Sequence, residues 1–428
     1  MRAIYFALGS VSGLCIFILF SWMPMYIGSD ATRCVMSHVL LFVAFILSWR
    51  CCQNKRRSNV IDIRNQAPDF AGRSLIFLSA LIVLALWATN LYFINTVPHF
   101  SWDGLHLWAV RAKLYSQYLT SQSAMDFPWT AHRHPLSLSY ALGYLQFLDG
   151  IPDPGILKYL PYVLLGISLT VLAIGTGGHG ASSVGFVGAI LVCSQPLLGN
   201  HLAIPGYADI YVSVLSVALL YGALEVFHFR GLAVWVALIL VPILVTLVLM
   251  KNAGWVIALQ AFASILFLMM IKKWTTTAPN PVLILNTIGV FCIGCVVLIL
   301  LAAFAELSLH IGGRVLTFST NAIYQIPWSV MQALLINSSF SVLFISFWVV
   351  TFAARSVTLS DREVLLIIFV LLHLVVNFAI MATDYGLRTT SENSDLGGSR
   401  FLITFSVAAL LYVVAVAGRL KHFNGVSV

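Results

Sequence analysis

Charge is what this chain has least of. Lys, Arg, Asp and Glu together make up 9 % of its 428 residues, and only 15 of them are acidic. Ordinary soluble chains carry about 25 % charged residues. With 60 % hydrophobic residues and a mean hydropathy of +0.95, the chain keeps so many apolar groups only by facing lipid, which excludes a soluble globular domain. The period-two alternation of a membrane β-barrel is missing as well. Cysteine is sparse, and Cys15, Cys34, Cys51, Cys52, Cys193, Cys292 and Cys295 nearly all lie in or beside apolar runs. Cys292 and Cys295 have the CxxC spacing of a redox or metal pair. No second pair or histidine cluster accompanies them, so they read as small residues packing on one helix face. The formal charge of +8 is spread over short loops rather than gathered into a nucleic-acid surface.

What is abundant is long apolar runs. A bilayer core of ~30 Å needs roughly 20 apolar residues per helix. Such windows fall near 4–27, 35–49, 74–96, 156–175, 183–200, 207–228, 232–250, 253–271, 282–306, 329–353, 363–381 and 401–418. The expected fold class is therefore all-α, a polytopic membrane protein with about 12 transmembrane helices. The first run is long and lacks a clear small-residue cleavage site, so it reads as an anchor rather than a signal peptide. Three regions are expected: an N-terminal helix pair with a basic loop (1–73), a core (74–271) and C-terminal spans (272–428).

Cations in short loops set orientation. The stretch CCQNKRRSNVIDIR (51–64) is the strongest cytoplasmic marker. Placing it inside puts both termini inside and leaves Arg33, Arg111, Lys113, Arg133, Lys158, Lys251, Arg314, Arg388 and Arg400 outside. The largest outer loop is then 97–155. It holds LHLWAVRAKLYSQYL (105–119), with apolar residues recurring at three and four, and PLSLSYALGYLQFL (135–148), apolar but short for a span. Both read as helices lying in the interface, rich in Trp and Tyr as that depth favours.

Four stretches carry a resemblance. WDGLHLWAVRAK (102–113), followed by HP (134–135), resembles an acidic first outer loop. GYADIYVSVLSVALLYGAL (206–224) resembles a span whose outer end opens with an acid. LVLMKNAGWVIAL (247–259) resembles a Lys-Asn-Glu-Gly turn, with Ala253 in the glutamate's place. GGSRFLI (397–403) resembles the arginine before a late span, with no proline following. Together these resemble the GT-C glycosyltransferase superfamily, multi-spanning enzymes that take sugar from a polyprenyl-phosphate carrier, and within it the bacterial protein- and lipid-modifying branches. The resemblance covers roughly 74–260 and the start of the last span. It implies a bacterial inner-membrane enzyme with its active site facing the periplasm, a polyprenyl-phosphate-linked sugar as donor, and a saccharide, lipid or secreted protein such as a pilin as acceptor. The bilayer is the other partner, and nucleic acid is not one.

Such a transfer needs a base for the acceptor proton and fixed positive charge for the leaving phosphate. Direct displacement inverts the anomeric carbon and places the base opposite the phosphate. Asp103 and Asp209 are the candidate catalytic acids. Asp103, at the mouth of the outer loop, is the better base; the alternative is helix capping. Asp209 could orient acceptor or sugar, or simply sit in a first helical turn where the dipole favours an acid. For phosphate the candidates are Lys251, Arg400, Arg111, Lys113 and Arg133, with Arg314 and Arg388 on the same side. Lys251 interrupts two apolar runs, which invites a functional reading or a snorkelling one. Arg111 and Lys113 could instead hold an interfacial helix to anionic lipid. His132 and His134 flank Arg133 and suit hydrogen bonding to phosphate or sugar better than metal ligation; no cofactor is required, and use of a divalent metal stays open. Trp102 and Tyr207 could stack on a sugar or belong to the aromatic belt.

Two other lipid-linked functions compete. A flippase or secondary transporter has a similar number of spans, but coupled transporters usually carry ionisable groups at the midplane and repeated halves. Here no repeat is visible and His373 is the main mid-span exception. An O-antigen ligase or polymerase tends to carry its main outer loop late, whereas 307–328 and 382–400 are shorter than 97–155.

Overall fold

The computed structural model describes residues 2–21, 70–96, 110–121, 137–149, 160–176, 183–194, 208–228, 233–251, 253–274, 281–311, 314–327, 338–355, 358–384 and 404–416. These are helical almost throughout. In chain order the helices are α1 (Arg2–Phe20), α2 (Phe70–Thr96), α3 (Val110–Ser121), α4 (Ser137–Asp149), α5 (Leu160–Thr176), α6 (Ser183–Ser194), α7 (Asp209–His228), α8 (Ala233–Met250), α9 (Gly254–Trp274) and α10 (Pro281–Phe304). Strands β1 (Ser308–Ile311) and β2 (Arg314–Thr317) follow. Then come α11 (320–327), α12 (Ser338–Ala353), α13 (Asp361–Met381) and α14 (Thr404–Val416). Among the described residues, three stretches are long and apolar enough to cross a membrane: Gly254–Lys273 in α9, Ile284–Phe304 in α10 and Asp361–Met381 in α13. The span expected at 35–49 lies outside the described residues.

The chain forms two compact units, Met1–Ala258 and Leu259–Val428. The division falls inside α9, and α1 belongs to the first unit. Helix α1 packs against α4, α5, α7 and α8, and Ile4, Ala7, Leu8, Val11, Leu14, Cys15, Phe17 and Ile18 are all buried. An anchor surrounded only by lipid would leave those side chains exposed; here the first helix is the centre of the first unit. Helix α7 is buried on nearly every side from Ile210 to Leu220, and a helix buried all round belongs inside a bundle.

Two close approaches set the geometry of the first unit. A Cβ on Gly143 would come within 2.4 Å of the Ala112 carbonyl oxygen, so glycine lets α4 cross α3 backbone to side. The Tyr115 and Tyr140 rings meet edge-on at 4.8 Å beside that crossing. At the α8–α9 turn the Gly254 N–H donates to the Lys251 carbonyl at 2.8 Å. A Cβ on Gly254 would lie 1.8 Å from the Leu247 carbonyl oxygen, so this close approach to the end of α8 requires glycine.

In the second unit α9 and α13 are antiparallel, because Lys272 near the end of α9 pairs with Asp361 at the start of α13. Helix α13 opens with a capping box: Ser360 accepts from the Glu363 N–H, and the Glu363 carboxylate accepts from the Ser360 N–H. Helix α10 closes with a Schellman turn, the Leu307 N–H donating to Ala302 and the Glu306 N–H to Ala303. Glu306 takes the left-handed conformation there, φ 49°. The all-α expectation needs one correction. The segment 307–328 holds an antiparallel hairpin, with Leu309 opposite Leu316 and Ile311 opposite Arg314. Its sequence carries the reason: SLHI and RVLT are linked by Gly312-Gly313, a two-residue connection that favours a tight hairpin turn.

Candidate active site

Six helix ends gather at one end of the first unit, and contacts between them fix which ends these are. Thr246, near the end of α8, donates to the Cys15 carbonyl near the end of α1 at 3.4 Å. Tyr115 of α3 donates to the Ser21 carbonyl just beyond α1 at 2.8 Å. Tyr162 in the first turn of α5 meets Tyr211 in the first turn of α7, ring centroids 5.1 Å apart. Ser137, the first residue of α4, donates to the Leu249 carbonyl at 2.6 Å. The ends of α1 and α8 and the starts of α4, α5, α7 and α9 therefore share one end of the bundle. Of the last-turn carbonyls of α8, which have no partners within their own helix, that of Leu249 accepts from Ser137, and the Lys251 carbonyl just beyond accepts from the Gly254 N–H.

Into this gathering come two of the charged residues singled out in the sequence. Lys251 follows the last turn of α8 and Asp209 begins α7; Nζ and Oδ1 are 2.5 Å apart, with side chains 22 % and 14 % exposed. The antiparallel packing of α7 on α8 makes the pairing follow from chain order. Each charge also sits where its helix dipole favours it, the acid at an N-terminus and the cation at a C-terminus. Chemically, this is a half-buried cation whose counter-charge is a carboxylate. An incoming phosphate would compete with Asp209 for Lys251, and Asp209 is not an unengaged base in this state. Beside it the buried Tyr211 hydroxyl has no hydrogen-bond partner among the described residues, a cost of roughly 1–3 kcal/mol of the kind that functional sites retain.

Arg111 and Lys113 lie on α3, which packs on α4. Lys113 is exposed and Arg111 half-buried. Partial burial draws Arg111 below the ordinary arginine value, yet a guanidinium keeps its charge in proteins. Asp103, Trp102, His132, Arg133, His134, Tyr207, Arg388 and Arg400 lie outside the described residues. Chain connectivity still bears on several of them. Arg133 and His134 precede Ser137 by four and three residues, and Tyr207 precedes Asp209 by two. At no more than ~3.6 Å per residue, His134 lies within roughly 11 Å of the Ser137 Cα. Asp103 precedes α3 by seven residues, a tether that does not fix its place. Arg400 and Arg314 belong to the second unit.

Ser137 was not among the expected residues, although a serine just after Pro135 is an ordinary helix-start signal. A second polar feature was visible in the sequence only in part. His373 of α13 is buried, with Nδ1 3.0 Å from Gln260 Oε1 of α9. Gln260 Nε2 donates to the Phe369 carbonyl at 2.9 Å. Since a carbonyl can only accept, that bond fixes the Gln260 amide, and His373 Nδ1 must carry the proton. Gln260, Ser264, His373 and Asn377 form a buried polar seam between two apolar helices; the one uncharged polar residue early in α9 was its signal. Cys292 and Cys295 are free thiols on α10, and no group of three metal-ligating side chains occurs among the described residues. Comparison with protein-family models, curated proteins and solved structures finds no match.

Proposed function

We propose that this chain is an integral-membrane glycosyltransferase of GT-C type, with about 12 spans, moving a sugar from a polyprenyl-phosphate carrier to an acceptor hydroxyl on the periplasmic face of the bacterial inner membrane. The observation that carries the reading is the Lys251–Asp209 pair at the end of the first unit where α3 and α4, the helices of the 97–155 segment, also dock. A phosphate with a lipid tail needs a cation held at the end of a helix bundle, close to where chain can cover it. Lys251 supplies that charge, Ser137 ties the HP segment beside it, and Asp103 enters from the same segment as base. Asp209 holds Lys251 until phosphate takes over. The test is turnover: purified protein in vesicles, given a radiolabelled polyprenyl-phosphate sugar and a panel of envelope acceptors, transfers label to one of them. Mass spectrometry of envelope glycans and proteins after deletion of the gene identifies the acceptor as the one missing a sugar unit.

A second reading has its own observation. The His373–Gln260 contact puts an ionisable group inside two apolar helices, where such groups mark transport pathways. A lipid-linked-sugar flippase would move labelled lipid across vesicles without cleaving it. Intact lipid recovered on the opposite face, with no transferred sugar, selects this reading over the first.

A further inference from the structure

Helix α10 is exposed along its length. Val290, Ile293, Leu298, Leu301 and Phe304 each show more than half of their surface, up to 73 %, and only 11 % of its spanning stretch is buried. At its end the chain does not trail off. The Schellman turn at Glu306 leads into β1, and the hairpin is then fastened to the end of α13. Phe318 pairs with Thr383 in an isolated bridge, and the Ser319 N–H donates to the Ala382 carbonyl at 3.0 Å. Ala303, Phe318, Ile326 and Ala382 close into a small core with Ile299, Ile323 and Phe378 around it. The hairpin and α11 are thus built onto the ends of two helices apolar enough to cross a membrane, and those ends fix their depth.

Apolar side chains remain exposed on both faces of this element: Leu309 lies on the face it shares with Leu316, and Val315, paired with His310, on the other. Leu307 is 54 % exposed, Leu309 48 %, Val315 55 % and Tyr324 79 %. They extend the exposed apolar surface of α10 beyond Phe304, with the exposed Glu306 and Ser308 between them. The sequence of the hairpin also carries His310 and Arg314 at its tip. A two-stranded hairpin has N–H and C=O groups on its outer edges, and these cannot be left in hydrocarbon. The headgroup region satisfies all three features: water for the strand edges, acyl-chain tops for the apolar side chains, and anionic groups for the arginine. Tyrosine is enriched at that depth.

We propose that the β1–β2 hairpin and α11 form a bilayer-surface foot, lying in the headgroup layer at the end of α10 and α13 with lipid as its partner, rather than a loop in water. This does not depend on the glycosyltransferase reading. It makes 307–327 a contact that sets the depth of the second unit in the membrane.

The test uses the full chain reconstituted in vesicles containing phosphatidylglycerol. A benzophenone amino acid replaces Leu309 in one variant and Val315 in another, with the same group at Phe304 as the lipid-facing reference. Illumination should give lipid adducts at Leu309 and Val315 in yields comparable to Phe304, read by mass spectrometry of the digested protein. Protein–protein adducts joining two copies would overturn the proposal and assign the patch to self-association. Absence of either adduct would return the hairpin to water. Hydroxyl-radical footprinting of the wild-type protein in the same vesicles guards against misfolded variants. Tyr324 and Leu309 should be protected to the level of Phe304, and strong oxidation at both would sink the idea.

Discussion

Lys251 and Asp209 show how little a single charge means until its partner is known. Read alone, each had a structural explanation, one as a snorkelling lysine and the other as a first-turn acid. Paired at 2.5 Å and mostly buried, they act as one group. Their coupling in a double-mutant cycle of Lys251→Ala and Asp209→Ala should be roughly 0.5–3 kcal/mol, measured by thermal unfolding in detergent; additive losses would mean the pair is not formed in solution. If Lys251 meets the donor phosphate, Lys251→Ala should lower transfer by about 10²–10³-fold. Assaying that variant with purified protein and lipid donor separates the role from folding, provided the melting temperature stays close to that of the Asp209→Ala variant. Asp103 is tested differently, because asparagine caps helices about as well as aspartate. As base, Asp103→Asn should lose at least ~10²-fold in transfer while still binding donor. As cap, only Asp103→Ala should suffer, by roughly 1 kcal/mol of stability.

Among the elements, the short ones matter most here. Helices α3 and α4 were expected at 105–119 and 135–148 and are found at Val110–Ser121 and Ser137–Asp149. The pattern of apolar residues foretold both. What it did not show is that Gly143 permits their crossing, since only the Ala112 carbonyl 2.4 Å away makes the missing side chain necessary. Gly143→Ala should cost roughly 1–3 kcal/mol, as overpacking does, and a melting temperature equal to wild type would show that α3 and α4 can separate. Glu306 makes the opposite case. Its left-handed conformation at the end of α10 suits glycine better. Glu306→Gly should therefore raise stability by about 1 kcal/mol or less, since the relief of αL strain is partly offset by glycine's greater freedom when unfolded. A loss of stability there would point to a contact made by the glutamate side chain.

At the scale of the molecule, orientation is the quantity on which every proposed role depends. A cysteine introduced at Ser123 should react with a membrane-impermeant thiol reagent in intact cells, above the level of the parent protein, while one at Ser58 should not. The reverse pattern would put Lys251 and its neighbours on the cytoplasmic side and end the proposed use of a periplasmic donor. The structure bears on one part of that scheme. The helix ends meeting at Lys251 are those that the loop pattern had placed on a common side: the end of the first span, the start of the spans after 97–155 and 207, and the turn at 251.

Composition and runs of apolar residues determined the class by themselves. Lipid-facing helices cannot be written in another composition, since each needs an unbroken stretch of low polarity. The ends of most helices were legible for the same reason, to within several residues. Tertiary structure alone decided three things. Helix α1 packs among four other helices, because burial depends on which helices surround it and not on its own residues. Asp209 faces Lys251 because α7 and α8 pack antiparallel, bringing together charges 42 positions apart. Gln260 fixes the proton on His373 because two distant spans align polar residues in their interiors, and no local pattern in either helix records the other's register.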